Sequence, residues 1–119
     1  MRKVILIEDD KTMLSLLKTL LQMEGFEVAL TGDDALPHLL ENIKAEKPVA
    51  ALIDVNLRHG SGIELLRQIR KDPDLWDLRV VMSSGMDYRQ ECTLAGANGF
   101  LLKPYMPDDL ISLLKRVLG

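Results

Sequence analysis

Apolar positions along the chain follow two rhythms: short runs rich in β-branched residues, and longer stretches with near-helical spacing. Val4 to Ile7 is a short apolar run stopped by Glu8, Asp9 and Asp10, which predicts a strand buried on both faces with acids at its carboxyl end. From Thr12 to Glu24, Met13, Leu14, Leu16, Leu17, Leu20, Leu21 and Met23 recur with helical spacing, and Gly25 closes the segment as a helix cap. Phe26 to Leu30 predicts a second strand. Asp33 or Asp34 is placed to cap a helix running to about Lys44, and Pro48 precedes a third strand at Val49 to Ile53. Ile63, Leu65, Leu66 and Ile69 predict a helix over Gly62 to Arg70, which Asp72-Pro73-Asp74 breaks before a fourth strand at Arg79 to Met82. A short, weakly patterned helix is expected between Asp87 and Leu94, then a fifth strand at Gly99 to Leu102 ended by Lys103-Pro104. Leu110, Ile111, Leu113, Leu114, Val117 and Leu118 mark a final amphipathic helix.

Strands that alternate with helices imply an α/β fold with a doubly wound, five-stranded parallel sheet, because parallel strands need crossovers and helices supply them. In such sheets the ligand site lies at the carboxyl ends of the strands, near the switch in strand order. The 119 residues, 47% of them hydrophobic, suffice for one core, so one domain over residues 1–119 is expected. Both signs of charge are interspersed and the formal net charge is -3, so no basic footprint marks a direct nucleic-acid partner. Met1-Arg2-Lys3 leads only into a short apolar run, which predicts neither a signal peptide nor a membrane partner. Cys92 is the single cysteine, which excludes an internal disulfide framework and fits a reducing, cytoplasmic location.

The carboxyl ends of the predicted strands carry Glu8 and Asp9, then Asp54, then Ser83 and Ser84, then Lys103. These residue types suit phosphoryl transfer. Converging carboxylates repel unless a cation is bound or a proton taken up, and a hard divalent ion, Mg2+ above all, resolves the conflict. An aspartate is already ionised at neutral pH, so Asp54 can attack phosphorus without a general base. The metal and Lys103 would neutralise the phosphoryl oxygens, and the Ser84 hydroxyl would donate to one of them.

The runs Ile5-Leu6-Ile7-Glu8-Asp9-Asp10, Leu52-Ile53-Asp54-Val55-Asn56 with Gly62 after it, Val80-Val81-Met82-Ser83-Ser84-Gly85 and Phe100-Leu101-Leu102-Lys103-Pro104 together resemble the receiver domains of two-component response regulators over the whole chain. Each run is weak alone; five signals in order are specific. The resemblance implies a flavodoxin-like sheet, strand order 2-1-3-4-5, with Asp54 as phospho-acceptor. It implies metal ligation by Asp9, Asp54 and the Asn56 carbonyl, with Glu8 supporting through water. It makes Ser84 the switch hydroxyl, preferred over Ser83 by its separation from Asp54, makes Lys103 the partner of the phosphoryl group, and makes Phe100 the switch aromatic. The implied partners are a sensor histidine kinase or histidine phosphotransfer protein and a downstream effector domain or protein, with a homodimer compatible; the domain would promote its own phosphorylation and dephosphorylation rather than turn over a substrate.

Three departures qualify this. Arg58 stands where the family usually has a proline, so a more mobile loop is expected over Asn56 to Ser61. The Ser84-to-Lys103 separation is shorter than the family norm by about one helical turn, so a stunted or shifted fourth helix is expected. Phe100 lacks the hydroxyl of the commoner tyrosine. Plainer readings stand beside the sharper ones: Glu8 and Asp9 as helix-start acids, Ser84 as a turn residue, Phe100 and Cys92 as core, His38 and His59 as solvated surface. Trp76 reads equally as sheet-edge packing or as an exposed contact. Two other functions share the chemistry, a haloacid-dehalogenase-like phosphohydrolase and a degenerate receiver that binds without phosphorylation. The order of the acids, with the pair first and Asn56 after Asp54, disfavours the former, and the intact Glu8, Asp9, Asp54, Ser84 and Lys103 set the latter.

Overall fold

Strand β1 (Lys3–Ile7) leads into helix α1 (Lys11–Met23), β2 (Glu27–Leu30), α2 (Leu36–Glu46) and β3 (Ala50–Asp54). Then follow α3 (Gly62–Lys71), β4 (Arg79–Ser84), α4 (Arg89–Leu94), β5 (Gly99–Leu102) and α5 (Pro107–Leu118). The computed structural model describes residues 2–31 and 35–119, so the expected Asp33 or Asp34 cap of α2 lies outside them. All five strands pair in parallel in the order β2-β1-β3-β4-β5, the doubly wound sheet expected.

The central strands explain the apolar runs. Every residue of β3 and all but the first of β1 are buried, because helices cover both faces. Ile5, Ile7, Ala51, Ile53, Val80 and Met82 face α2, α3 and α4, whereas Val4, Leu6, Ala50, Leu52 and Val81 face α1 and α5. Asp10 caps α1, its Oδ1 accepting from the N–H groups of Thr12 (3.0 Å) and Met13 (3.1 Å), and Gly25 follows the helix at φ +91°, a left-handed conformation that favours glycine. The fourth helix is stunted as expected, with six residues.

Two features were not foreseen. The loop after β3, expected to be loose, zips into a two-residue antiparallel ribbon that pairs Asn56 with Ser61 and Leu57 with Gly60. It is pinned at its root: the Gly62 N–H donates to the Val55 carbonyl (2.8 Å), and a Cβ on Gly62 would stand 2.0 Å from the Asp54 carbonyl oxygen. Only glycine permits that approach of α3 to the end of β3. At the opposite pole Arg70 ties three segments together, with Nε on the Gly96 carbonyl (2.9 Å), Nη1 on the carbonyls of Trp76 (3.0 Å) and Leu78 (2.7 Å), and Nη2 on Asn98 Oδ1 (3.0 Å). Asn98 Oδ1 also accepts from the Val80 N–H at 2.8 Å. Trp76 itself is exposed in the turn before β4.

Two expectations follow. Arg70→Lys, which keeps the charge but loses the fork, should cost about 2–3 kcal/mol, read as a lower urea midpoint with an unchanged slope. Gly62→Ala should destabilise by at least about 2 kcal/mol and disturb the β3–α3 junction, seen as shifted amide resonances for Asp54 and Val55.

Candidate functional site

Glu8, Asp54, Ser84 and Lys103 stand at or just past the carboxyl ends of β1, β3, β4 and β5. The Lys103 backbone N–H donates to the Ser84 carbonyl (2.8 Å), which anchors the residue to β4 before its side chain sets out. Its Nζ then donates to Glu8 Oε1 (2.9 Å), Glu8 Oε2 (3.1 Å) and Asp54 Oδ2 (2.8 Å). The other Asp54 oxygen, Oδ1, accepts from the Asn56 N–H at 3.1 Å, so both oxygens of this carboxylate are held in direction.

The side chains of Glu8 and Asp54 are 3% and 10% exposed, and that of Lys103 is 27% exposed. Ions so buried are tolerable only when paired. Burial pushes the Glu8 carboxyl above its usual value and Asp54 pushes it further, while the Lys103 hydrogen bond pulls it back. Burial also works against the Lys103 ammonium, but its bonds to Asp54 and Glu8 outweigh that and hold its pKa above the ordinary lysine value. Two carboxylates against one ammonium leave the cluster one positive charge short.

The expected gathering of three carboxylates is not what the structure shows. Asp9 is exposed beyond Glu8, Lys103 stands between Glu8 and Asp54, and among the described residues no three His, Cys, Asp or Glu side chains are close enough to hold a metal ion. The donor set still suits a hard divalent cation, since every donor is an oxygen and a positive charge already occupies the place between two of them.

The remaining expected residues are partly engaged elsewhere. Ser84 is fully buried, and its Oγ accepts from the Met86 N–H (3.1 Å), closing a turn. Asn56 is exposed at the start of the ribbon. Phe100 is half-buried against the α2–α4 side of the core, with the Arg89 guanidinium carbon 5.5 Å from its ring centroid. His38 and His59 are exposed, and Cys92 is core, its thiol pushed up to about 11 by burial.

Two buried hydroxyls at this end were set aside or passed over in the sequence, Ser83 on β4 and Tyr105 just past the cis Lys103–Pro104 bond. Nothing in the apolar pattern singles out Tyr105; the signal that could have found it is its place directly after Lys103-Pro104.

A family model described as the response regulator receiver domain matches residues 4–115. The chain is 36% identical over 121 residues, 99% of its length, to a transcriptional regulatory protein CpxR homolog of Haemophilus influenzae, and spans about half (51%) of that relative. Among solved structures it is similar to the chemotaxis response regulator CheY4 of Vibrio cholerae, at TM-score 0.88 and 25% identity with 98% of each chain covered. It is also similar to the beryllofluoride-activated N-terminal receiver domain of Klebsiella pneumoniae RstA, at TM-score 0.85 and 25% identity with 98% of each chain covered. No helix among the described residues is long and apolar enough to cross a membrane. With its sheet order, its strand-end cluster and a family match over nearly its whole length, the chain belongs to the response regulator receiver domain family.

Proposed function

We propose that the protein is a phospho-accepting switch in which Asp54 takes a phosphoryl group from a phosphohistidine on a sensor kinase or phosphotransfer protein. The observation that carries this reading is the Glu8–Lys103–Asp54 cluster at the sheet's carboxyl edge. An Asp54 oxygen forms a bond to phosphorus as the phosphorus–nitrogen bond of the donor breaks, and the imidazole keeps the electron pair. Later, water attacks the same phosphorus, the Asp54 oxygen–phosphorus bond breaks, and carboxylate and inorganic phosphate are released.

The protein's part is orientation and charge. The Asn56 N–H aims the carboxylate, and Lys103, already 2.8 Å from Asp54 Oδ2, is placed to follow negative charge onto the phosphoryl oxygens. Ser84, whose oxygen accepts from the Met86 N–H, would donate its own O–H to the phosphoryl group. Glu8, Asp9, Asp54 and the Asn56 carbonyl would hold Mg2+, which supplies the missing positive charge and screens the incoming phosphate. Phe100 is the packing element that would register the change, against the six-residue helix α4. Transfer of the switch to an effector domain or protein, with a cytoplasmic location, completes the proposal.

Labelling with acetyl phosphate and Mg2+ tests it: the wild-type chain should take up one alkali-labile phosphate, and Asp54→Asn none. Equal labelling of the variant would defeat the assignment. Sustained turnover of an aryl phosphate would instead favour the phosphohydrolase. Lys103→Met leaves two buried carboxylates without their ammonium and should cost about 3–5 kcal/mol. Mg2+ should then raise the melting temperature of Lys103→Met more than that of the wild type, because in the variant the metal meets no competing ammonium.

A further inference from the structure

Among the described residues, the buried side-chain oxygens without a hydrogen-bond partner are Ser83 Oγ and Tyr105 Oη. Ser83 is wholly excluded from solvent and Tyr105 is 9% exposed. Buried hydroxyls are nearly always paired, because an unpaired one gives up water and gains nothing in return. Two such groups at one end of one sheet call for a cause.

Both lie in the layer that holds the ionic cluster. Strand alternation puts Ser83 on the side of Val81, Asp54 on the side of Leu52, and Glu8 on the side of Leu6, all toward α1 and α5, where Tyr105 is also packed. Ser83 is flanked in register by Asp54 on β3 and Leu101 on β5. Lys103 starts beyond β5 and its ammonium meets Glu8 beyond β1 and Asp54 from β3, and Asp54 is the register neighbour of Ser83 on β4, the strand between β3 and β5. The Tyr105 phenol is pushed up to about 12, by burial first and then by the charge of Glu8, so it stays a donor at any physiological pH.

We propose that the Tyr105 and Ser83 hydroxyls are positioning groups held in reserve: when a phosphoryl group on Asp54 draws Lys103 away from Glu8, Tyr105 donates to the Glu8 carboxylate and Ser83 accepts from the withdrawn ammonium. This rests on the reading of Asp54 as the phospho-acceptor. In the resting form Glu8 takes two of the three Lys103 contacts, and losing them leaves a carboxylate only 3% exposed with no side-chain donor, whatever share of its charge Mg2+ neutralises. The nearby phenol replaces that donor. As Lys103 shortens its reach, its ammonium retreats over β4, where the Ser83 oxygen waits. Both hydroxyls pass from unpaired to paired while the ion pair that held the resting form is broken, so each favours the phosphorylated state.

Tyr105→Phe and Ser83→Ala each delete one hydroxyl and leave the packing nearly unchanged. Melting of the full chain is followed without ligand and with Mg2+ plus beryllofluoride, a phosphoryl mimic, and the half-saturating beryllofluoride concentration is measured. Each variant alone should melt at or above the wild type, since an unpaired group has gone. Each should gain less from Mg2+ and beryllofluoride and need about tenfold more of the mimic, the loss of one charge-assisted hydrogen bond. Variants that match the wild type in both forms, or that melt lower by the same amount in both, overturn the inference, the second being the mark of a merely structural hydroxyl. A wild-type chain unmoved by Mg2+ and beryllofluoride overturns the phospho-acceptor reading and this inference with it; a responsive wild type with equally responsive variants overturns the inference alone.

Discussion

Lys103 carries positive charge from beyond the edge strand β5 to the place where Glu8 and Asp54 converge, and the carboxyl edge of the sheet depends on that neutralisation. Without it, two carboxylates almost closed to solvent would face each other across β1 and β3, and one of them would have to take a proton. With it, the cluster is tolerable but not balanced, since one negative charge remains and Asp9 adds another at the exposed lip. A site left short of one positive charge suits a ligand that brings a divalent cation and a highly charged phosphate together. The same deficit explains why Lys103 reaches so far: its best partners are the two carboxylates.

Most of the fold was legible because buried parallel strands leave continuous apolar runs in the sequence. Val4–Ile7 and Val49–Ile53 were found within one residue of β1 and β3, since every other residue there meets a helix on one side or the other. Glu8, Asp54 and Lys103 were legible for a related reason: each directly follows such a run, where an unpaired charge beside the core would be costly. The ribbon Asn56–Ser61 was missed because it takes its order from its ends, where Gly62 lets α3 close on the Asp54 carbonyl. Reading Arg58 for stiffness alone said nothing about those ends.

Arg70 shows a second kind of blindness. It sits in the last turn of an amphipathic helix, where a basic residue is expected for its effect on the helix terminus. Its actual partners are carbonyls and an amide from the turn before β4 and the loop before β5, brought close only by the fold. Burial lowers its pKa from the usual arginine value, with Arg79 adding to the effect, yet its guanidinium remains charged and serves as a fork with several donors satisfied at once.

The two poles of the sheet are therefore built on opposite terms. At the amino-terminal pole, Arg70 and Asn98 satisfy backbone groups from three segments, and nothing there calls for a change of partner. At the carboxyl-terminal pole, two buried hydroxyls go unpaired, Ser84 spends its oxygen on a turn, and one ammonium serves two carboxylates. Unsatisfied buried groups cost stability wherever they lie. Among the described residues both unpaired hydroxyls lie at the end that carries Asp54, where the proposed phosphoryl transfer would offer them partners.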